Sequence, residues 1–425
     1  MQIIENNKVK EKLYIEKLEN GLTIMVIPKK ETRKRYVIWG TNYGSIDNEF
    51  IVPGEQSATK VPNGIAHFLE HKLFEQEDGS NSLDKLTAIG VDANAYTTND
   101  HTAYLFDCTD NFEEALDELM DYVQHPYFTD ENVEKEKGII EQEIAMYDDY
   151  PDWKVYLNAM VAMYKENPVK IDITGTKETI AGITKEILYN CYNTFYHPSN
   201  MTMCVSGNFE PEKVIEEVKR RLVKKENSGE IKRIYEQEPD GINKSEIIEK
   251  MEVSKPIYII GYKDNNFGEN QVKKHISIEI LLNILIGKSS GLYQELYSDG
   301  YVNEPLDLDY EFSKTYAYIM ISGSSKDPKY IQEKLNEEID KLIKEGINQN
   351  DFERIKRKIY GAYIKEYNDT SDIARMFLAD SFKGINSFEY LENYETVTKE
   401  YATQTLKELF KKENQIISII QPKKM

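Results

Sequence analysis

Apolar positions fall in short blocks whose spacing changes along the chain. Residues 22–27 and 36–40 are runs rich in β-branched and aromatic side chains, bounded by Gly, Lys and Asn, and they predict strands. A further extended stretch lies at 93–109, where Thr, Tyr and Phe alternate near 102–107. Helical spacing follows at 111–124, 130–148 and 184–196, then a strand at 201–206 and a helix beginning near Pro211, a residue suited to a first helical turn. From Lys224 to Lys250 the chain turns polar, with charges of both signs. Beyond it, strands are predicted at 257–262 and, as a hairpin, at about 306–323. Helices are predicted at 271–286, 328–345, 349–367 and 396–411, and a strand at 416–420 closes the chain.

Two of these segments resemble each other. Thr184-Lys185-Glu186 and Thr398-Lys399-Glu400 open stretches that run in register without a gap. Phe195-Tyr196 matches Leu409-Phe410, Asn200 matches Asn414, and Met203 and Val205 match Ile417 and Ile419. The offset from Thr184 to Thr398, 214 residues, is about half the chain and points to a duplicated α/β unit. Two similar domains, 1–225 and 251–425, joined by a linker at 226–250, is the expected organisation.

Composition narrows the function. The 425 residues include 53 Lys and Arg against 74 Asp and Glu, a net charge of −21, which argues against a nucleic-acid binder. The three cysteines, Cys108, Cys191 and Cys204, have no CxxC spacing, so neither a disulfide scaffold nor a thiolate metal site is expected. Residues 1–20 lack the apolar core of a signal peptide, and the most apolar helical stretch, 276–286, is too short to span a bilayer. No membrane partner is expected, and a reducing cytoplasm is the expected compartment.

The chemistry concentrates in His67-Phe68-Leu69-Glu70-His71. Ile65, Ala66, Phe68, Leu69, Leu73 and Phe74 make the segment apolar on nearly all sides, so it predicts a buried helix, with Asn63 as its N-cap. Residues four apart share a helical face, so His67 and His71 point the same way, as two imidazole ligands of one metal must. Glu70 lies on that face too, within reach of a metal-bound water as general base, in the inverted order HxxEH. The alternative is two core histidines beside a helical acid. The helix predicted at 130–148 offers a further ligand: its stripe Val133, Glu136, Ile140, Glu143, Ile144 and Tyr147 carries two acids. Buried carboxylates need a cation or a donor; a rotated helix would instead leave both in solvent. Gly138, in mid-helix, suggests close approach of another element.

HFLEH at 67–71, followed by Glu136-Lys137-Gly138-Ile139-Ile140-Glu141-Gln142-Glu143, resembles the pitrilysin/insulinase family of zinc peptidases. Asp92-Ala93-Asn94-Ala95-Tyr96-Thr97 and Thr102-Ala103-Tyr104-Leu105-Phe106 carry the same resemblance, which covers the whole length and is nearest to the family's short bacterial branch. It implies an α/β (α+β) fold of two similar domains, each a mainly antiparallel sheet covered by helices, in a clamshell. It implies one zinc held by His67, His71 and Glu143, with Glu70 polarising the attacking water and Glu136 as an outer carboxylate supporting a ligand. Asn94, Ala95 and Thr97 would belong to an edge strand to which a peptide substrate adds as an extra strand. The implied reaction is peptide hydrolysis, with the first domain catalytic and the second lacking zinc.

One departure matters. The family assists the oxyanion with an Arg and a Tyr from its second half. The corresponding stretch here runs from Ser289 to Asn303, with Tyr297 where the second Arg belongs, Asn303 near the Tyr position, and Tyr301 as a possible substitute. Short members of the family pair two chains around a chamber. The departure therefore predicts a heterodimer with a homologous chain that supplies the Arg/Tyr pair, a homodimer being the second choice. The competing reading is a non-catalytic or partner-dependent core subunit.

Overall fold

The computed structural model describes residues 1–225, 229–266 and 270–423; residues 226–228 of the expected linker lie outside them. The strands are β1 (Gln2–Asn6), β2 (Glu11–Lys17), β3 (Thr23–Pro28), β4 (Arg35–Thr41), the short β5 (Glu49–Ile51) and β6 (Thr59–Lys60), β7 (Asp92–Thr97), β8 (Thr102–Cys108) and β9 (Met201–Gly207). They are followed by β10 (Lys232–Arg233), β11 (Glu246–Met251), β12 (Ile257–Lys263), β13 (Asp307–Phe312), β14 (Ala317–Ser324) and β15 (Gln415–Pro422).

One sheet runs β1-β2-β3-β9-β4-β8-β7 and another β11-β15-β12-β14-β13. Each has one parallel pair, β3 with β9 and β11 with β15; the other neighbours are antiparallel. The second sheet therefore repeats the last five positions of the first, and the mainly antiparallel α/β architecture expected from the sequence is the one observed.

The repeat extends to single residues. Helices Lys185–Phe195 and Lys399–Leu409 each start from a threonine cap: Thr184 accepts from the Ile187 N–H and Thr398 from the Tyr401 N–H. Such caps contribute about 1 kcal/mol each. A short 3₁₀ turn follows in both copies, Pro198–Asn200 and Lys412–Asn414, and then the strands β9 and β15.

The compact units are not the contiguous stretches 1–225 and 251–425. One comprises Met1–Ile144, Asp172–Tyr235 and Ile364–Ser387; the other comprises Ala145–Ile171, Glu236–Tyr363 and Phe388–Met425. The halves of the chain exchange a helix. Thr370–Lys383, late in the chain, packs on β4 and β9, and Pro151–Met163, from the first half, packs on β12 and β15. Glycines admit both. A Cβ on Gly40 of β4 would lie 2.9 Å from Leu378 and 3.0 Å from Phe382; one on Gly261 of β12 would lie 3.3 Å from Met163. Gly40 pairs with Thr202 and Gly261 with Ile416, partners that are themselves 214 residues apart, so the two glycines occupy the same place in the repeat. An amphipathic helix shows which face it buries but not which sheet it buries it on, which is why contiguous domains are the natural expectation.

The expected linker is also more structured than its polarity suggests. Lys232–Arg233 pairs with β5, and Glu246–Met251, with alternating exposed and half-buried positions, forms the outer strand of the second sheet. The polar hairpin of β1 and β2 escapes the sequence pattern for the same reason: it lies at a sheet edge, where few side chains need to be apolar. Among the described residues no helix is long and apolar enough to cross a membrane.

Gly40→Val should drive a branched side chain into Leu378 and Phe382 and destabilise the fold by about 1–3 kcal/mol. Gly138 provides the contrast: it is exposed and nothing lies within 4 Å of its Cβ position, so no element approaches it closely. Gly138→Ala should stabilise by about 0.5–1 kcal/mol. Urea or thermal unfolding of both variants checks the two signs, and a neutral Gly40→Val would refute the packing described.

Candidate metal centre

The helix Ile65–Lys72 is inserted into core on nearly every side; Ile65, Ala66, Phe68 and Leu69 are all buried. Its N-cap is Gly64, not Asn63. Gly64 has φ of 89°, in the left-handed region that favours glycine, and a Cβ there would meet the Thr174 carbonyl oxygen at 2.4 Å. The Asn63 side chain accepts instead from Asn48 Nδ2 at 2.8 Å.

Helical spacing turns His67, Glu70 and His71 toward one face, and Asp130–Asp148 supplies the acids opposite. His67 Nε2 lies 3.7 Å from Glu143 Oε1, and His71 Nε2 lies 3.6 Å from Glu143 Oε2. These separations exceed hydrogen bonds. They approach the roughly 3.4 Å that separates ligands held about 2.0–2.1 Å from one tetrahedral zinc. One ligand atom from each of the three residues lies within 4.8 Å of the others. Two imidazoles and a carboxylate are also a donor set that suits catalytic zinc.

The electrostatics are those of a buried site short of positive charge. Burial, helped by the adjacent His71, pushes His67 down to about 3, so this ring is neutral and its lone pair is available. For His71 burial opposes the charged form, but the hydrogen bond to Glu136 and the charges of Glu70, Glu136 and Glu143 outweigh it and raise the group. Burial raises Glu70 against the hydrogen bond from Thr97, and raises Glu143 against the attraction of His71. A divalent cation between these groups would relieve the crowding of carboxylates. The ring Nδ1 of His67 is buried and has no hydrogen-bond partner among the described residues.

Supporting residues surround the set. Glu136 is buried, and its Oε1 is 3.0 Å from His71 Nδ1, which donates to it. It meets the Nδ1 side of His71, away from the Nε2 that faces Glu143. Glu143 is half-buried at the end of the same stripe. Thr97, expected to face substrate, donates its hydroxyl to Glu70 Oε2 at 2.6 Å. Asn94 and Ala95 do lie on an outermost strand, since among the described residues β7 pairs only with β8. The Ala95 N–H is bonded to Asn94 Oδ1 at 2.8 Å. A cleft of about 400 Å³ beside the site is lined by Glu70, His71, Phe74, Glu136 and Asn94 among others. Lys72, fully buried against Glu75 and Glu136, escapes sequence reasoning; a lysine inside so apolar a helix is the signal that could have found it.

In the other unit, Tyr297 and Asn303 are exposed. Tyr301 stacks on Tyr330 with ring centroids 4.2 Å apart, and Lys326 Nζ sits 4.1 Å from the Tyr301 ring centroid. The ring of Tyr301 is thereby committed to its own surroundings.

Residues 50–177 match the family described as Insulinase (Peptidase family M16), and residues 182–359 match the Peptidase M16 inactive domain. The chain is 41% identical to the uncharacterized zinc protease YmfH of Bacillus subtilis (strain 168) over 412 residues, 95% of each protein. It is 30% identical over 179 residues to the "probable mitochondrial-processing peptidase subunit beta" of Arabidopsis thaliana, 41% of this chain and 34% of that one. Among solved structures, an M16-like peptidase from Alicyclobacillus acidocaldarius superposes with a TM-score of 0.93 at 33% identity, covering 99% of both chains.

Glu143→Gln removes the one carboxylate of the candidate ligand set while keeping size. Zinc content of the purified variant, measured by mass spectrometry of the metal, is expected to fall to a small fraction of that of the unaltered chain. Full zinc retention would remove Glu143 from the ligand set.

Proposed function

The chain belongs to the insulinase family, peptidase family M16, and on that premise we propose that it is a zinc-dependent endopeptidase acting on short or unfolded peptides in an enclosed chamber. It holds one zinc per chain through His67, His71 and Glu143. The observation that carries this reading is the convergence of two imidazole Nε2 atoms on one carboxylate, with Glu70 beside them.

Zinc, when bound, lowers the pKa of a water to about 7 and polarises the scissile carbonyl. Glu70 takes the proton from the attacking water and delivers it to the leaving nitrogen. Burial keeps its carboxyl above the usual range, toward the pH at which a general base works best. The Thr97 hydroxyl occupies Oε2 and so directs Oε1 to the water. Glu136 holds His71 in the tautomer that leaves Nε2 free. The open edge of β7 receives the peptide as an added strand, with Asn94 and Ala95 as contacts. The peptide carbonyl then replaces Asn94 Oδ1 on the Ala95 N–H.

Glu70→Gln preserves volume and removes the base. Zinc content is expected to stay near normal, while hydrolysis of a fluorogenic peptide falls by at least roughly 100-fold. Turnover like that of the unaltered chain would sink the assignment of Glu70.

A second reading, a partner-dependent core subunit, is favoured by one feature: the stretch from Ser289 to Asn303 contains no Arg, and Tyr301 is already stacked. An oxyanion lacking a second preorganised donor loses about 2.7–4 kcal/mol of stabilisation. The two readings meet in a heterodimer with a homologous chain that brings an Arg/Tyr pair, with a homodimer as runner-up. The purified chain should then bind zinc but cleave peptides poorly, and adding the partner should restore cleavage. Efficient hydrolysis by this chain alone would contradict the heterodimer.

A further inference from the structure

Lys72 is the residue of the buried helix whose chemistry the mechanism leaves unused. It follows His71 directly and its side chain is 0% exposed, although lysine is rarely found fully buried unless paired. Its Nζ donates to Glu75 Oε2 and lies 3.8 Å from Glu136 Oε2. The same Glu136 presents Oε1 to His71 Nδ1 at 3.0 Å. One carboxylate therefore stands between a buried cation and a histidine ring, with one oxygen toward each. A carboxylate so held accepts the Nδ1 proton of His71 and leaves the lone pair on Nε2, the atom 3.6 Å from Glu143 Oε2. Deprived of Lys72, Glu136 would be a buried charge without its cation, drawn toward other donors and away from the ring.

We infer that Lys72 is a positioning residue of the metal centre: by holding Glu136 it sets the tautomer and orientation of His71. The inference rests on the metal-centre reading proposed above. It adds a third layer, Lys72 to Glu136 to His71, in which the outermost group comes from the position next to the ligand it serves. Glu75, with a side chain 28% exposed, anchors the ammonium from the solvent side.

The test is zinc affinity, measured by competition with a chromophoric chelator, in Lys72→Met, Glu136→Gln and the double variant. Lys72→Met is expected to bind zinc about 10–100-fold more weakly, the range for losing a group that orients a metal-bound histidine. The double variant is expected to lose no more than Glu136→Gln alone, because both changes act through one contact. A lysine that merely fills the core would lower the melting temperature without changing affinity, or would give losses that add. Should Lys72→Met fail to fold, the double variant, which removes the buried charges together, carries the test against Glu136→Gln alone: equal affinity is expected, and a further loss would overturn the inference. Unchanged zinc affinity in a folded Lys72 variant, or additive losses, would overturn the inference. Failure of the unaltered chain to take up zinc would overturn the metal-centre reading instead, and that result needs no variant to read.

Discussion

The helix Ile65–Lys72 places four ionisable side chains inside a hydrophobic core, and the architecture around it answers the cost of doing so. His67, Glu70 and Lys72 are buried and His71 is mostly so, and groups with so little access to water must be neutral, paired or bound. His67 is held neutral by burial. Glu70 takes a hydroxyl from β7, His71 takes a carboxylate from Asp130–Asp148, and Lys72 takes two acids. Glu143 completes the set at ligand distance from both imidazoles. The arrangement is thus fixed as much by the need to satisfy buried polar groups as by the reaction it serves.

The scaffold that bears this helix occurs twice in the chain, and among the described residues one copy carries the set that could hold a metal ion. The five strands β3-β9-β4-β8-β7 recur as β11-β15-β12-β14-β13, with the same parallel pair and the same threonine-capped helix before the second strand of each five. In the second copy the helix Gln271–Leu285 holds His275 and Glu279, but their partners are phenolic: Tyr390 meets His275 and Tyr363 donates to Glu279. Hydroxyls meet these half-buried groups there, and among the described residues only the first copy brings two histidines and an acid within reach of one ion.

Much of the architecture could be read along the chain. Most strands and helices lie within a few residues of their expected positions, because hydrophobic period and capping residues are local signals. Where expectation failed, the cause was non-local. Asn63 is chemically the better cap, but the approach of Thr174 demands a backbone that favours Gly64. The strand Glu246–Met251 is polar because it lies at an edge, and composition alone makes it a linker. The hydrogen bond from Thr97 to Glu70 likewise joins distant segments and has no local signal.

By itself the sequence determined the spacing of His67, Glu70 and His71 on one helical face, the acids at 136 and 143 on one stripe, and the half-chain repeat. These follow from the 3.6-residue period and from covalent order. Only the tertiary structure decided which acid faces both Nε2 atoms and which meets the Nδ1 of His71, since Glu136 and Glu143 share a stripe and differ only in what the Ile65–Lys72 helix places opposite them. It also decided which helix covers which sheet and where the ammonium of Lys72 goes. Burial and contact between distant segments select among partners that are locally equivalent, and that selection leaves no periodic trace in the chain.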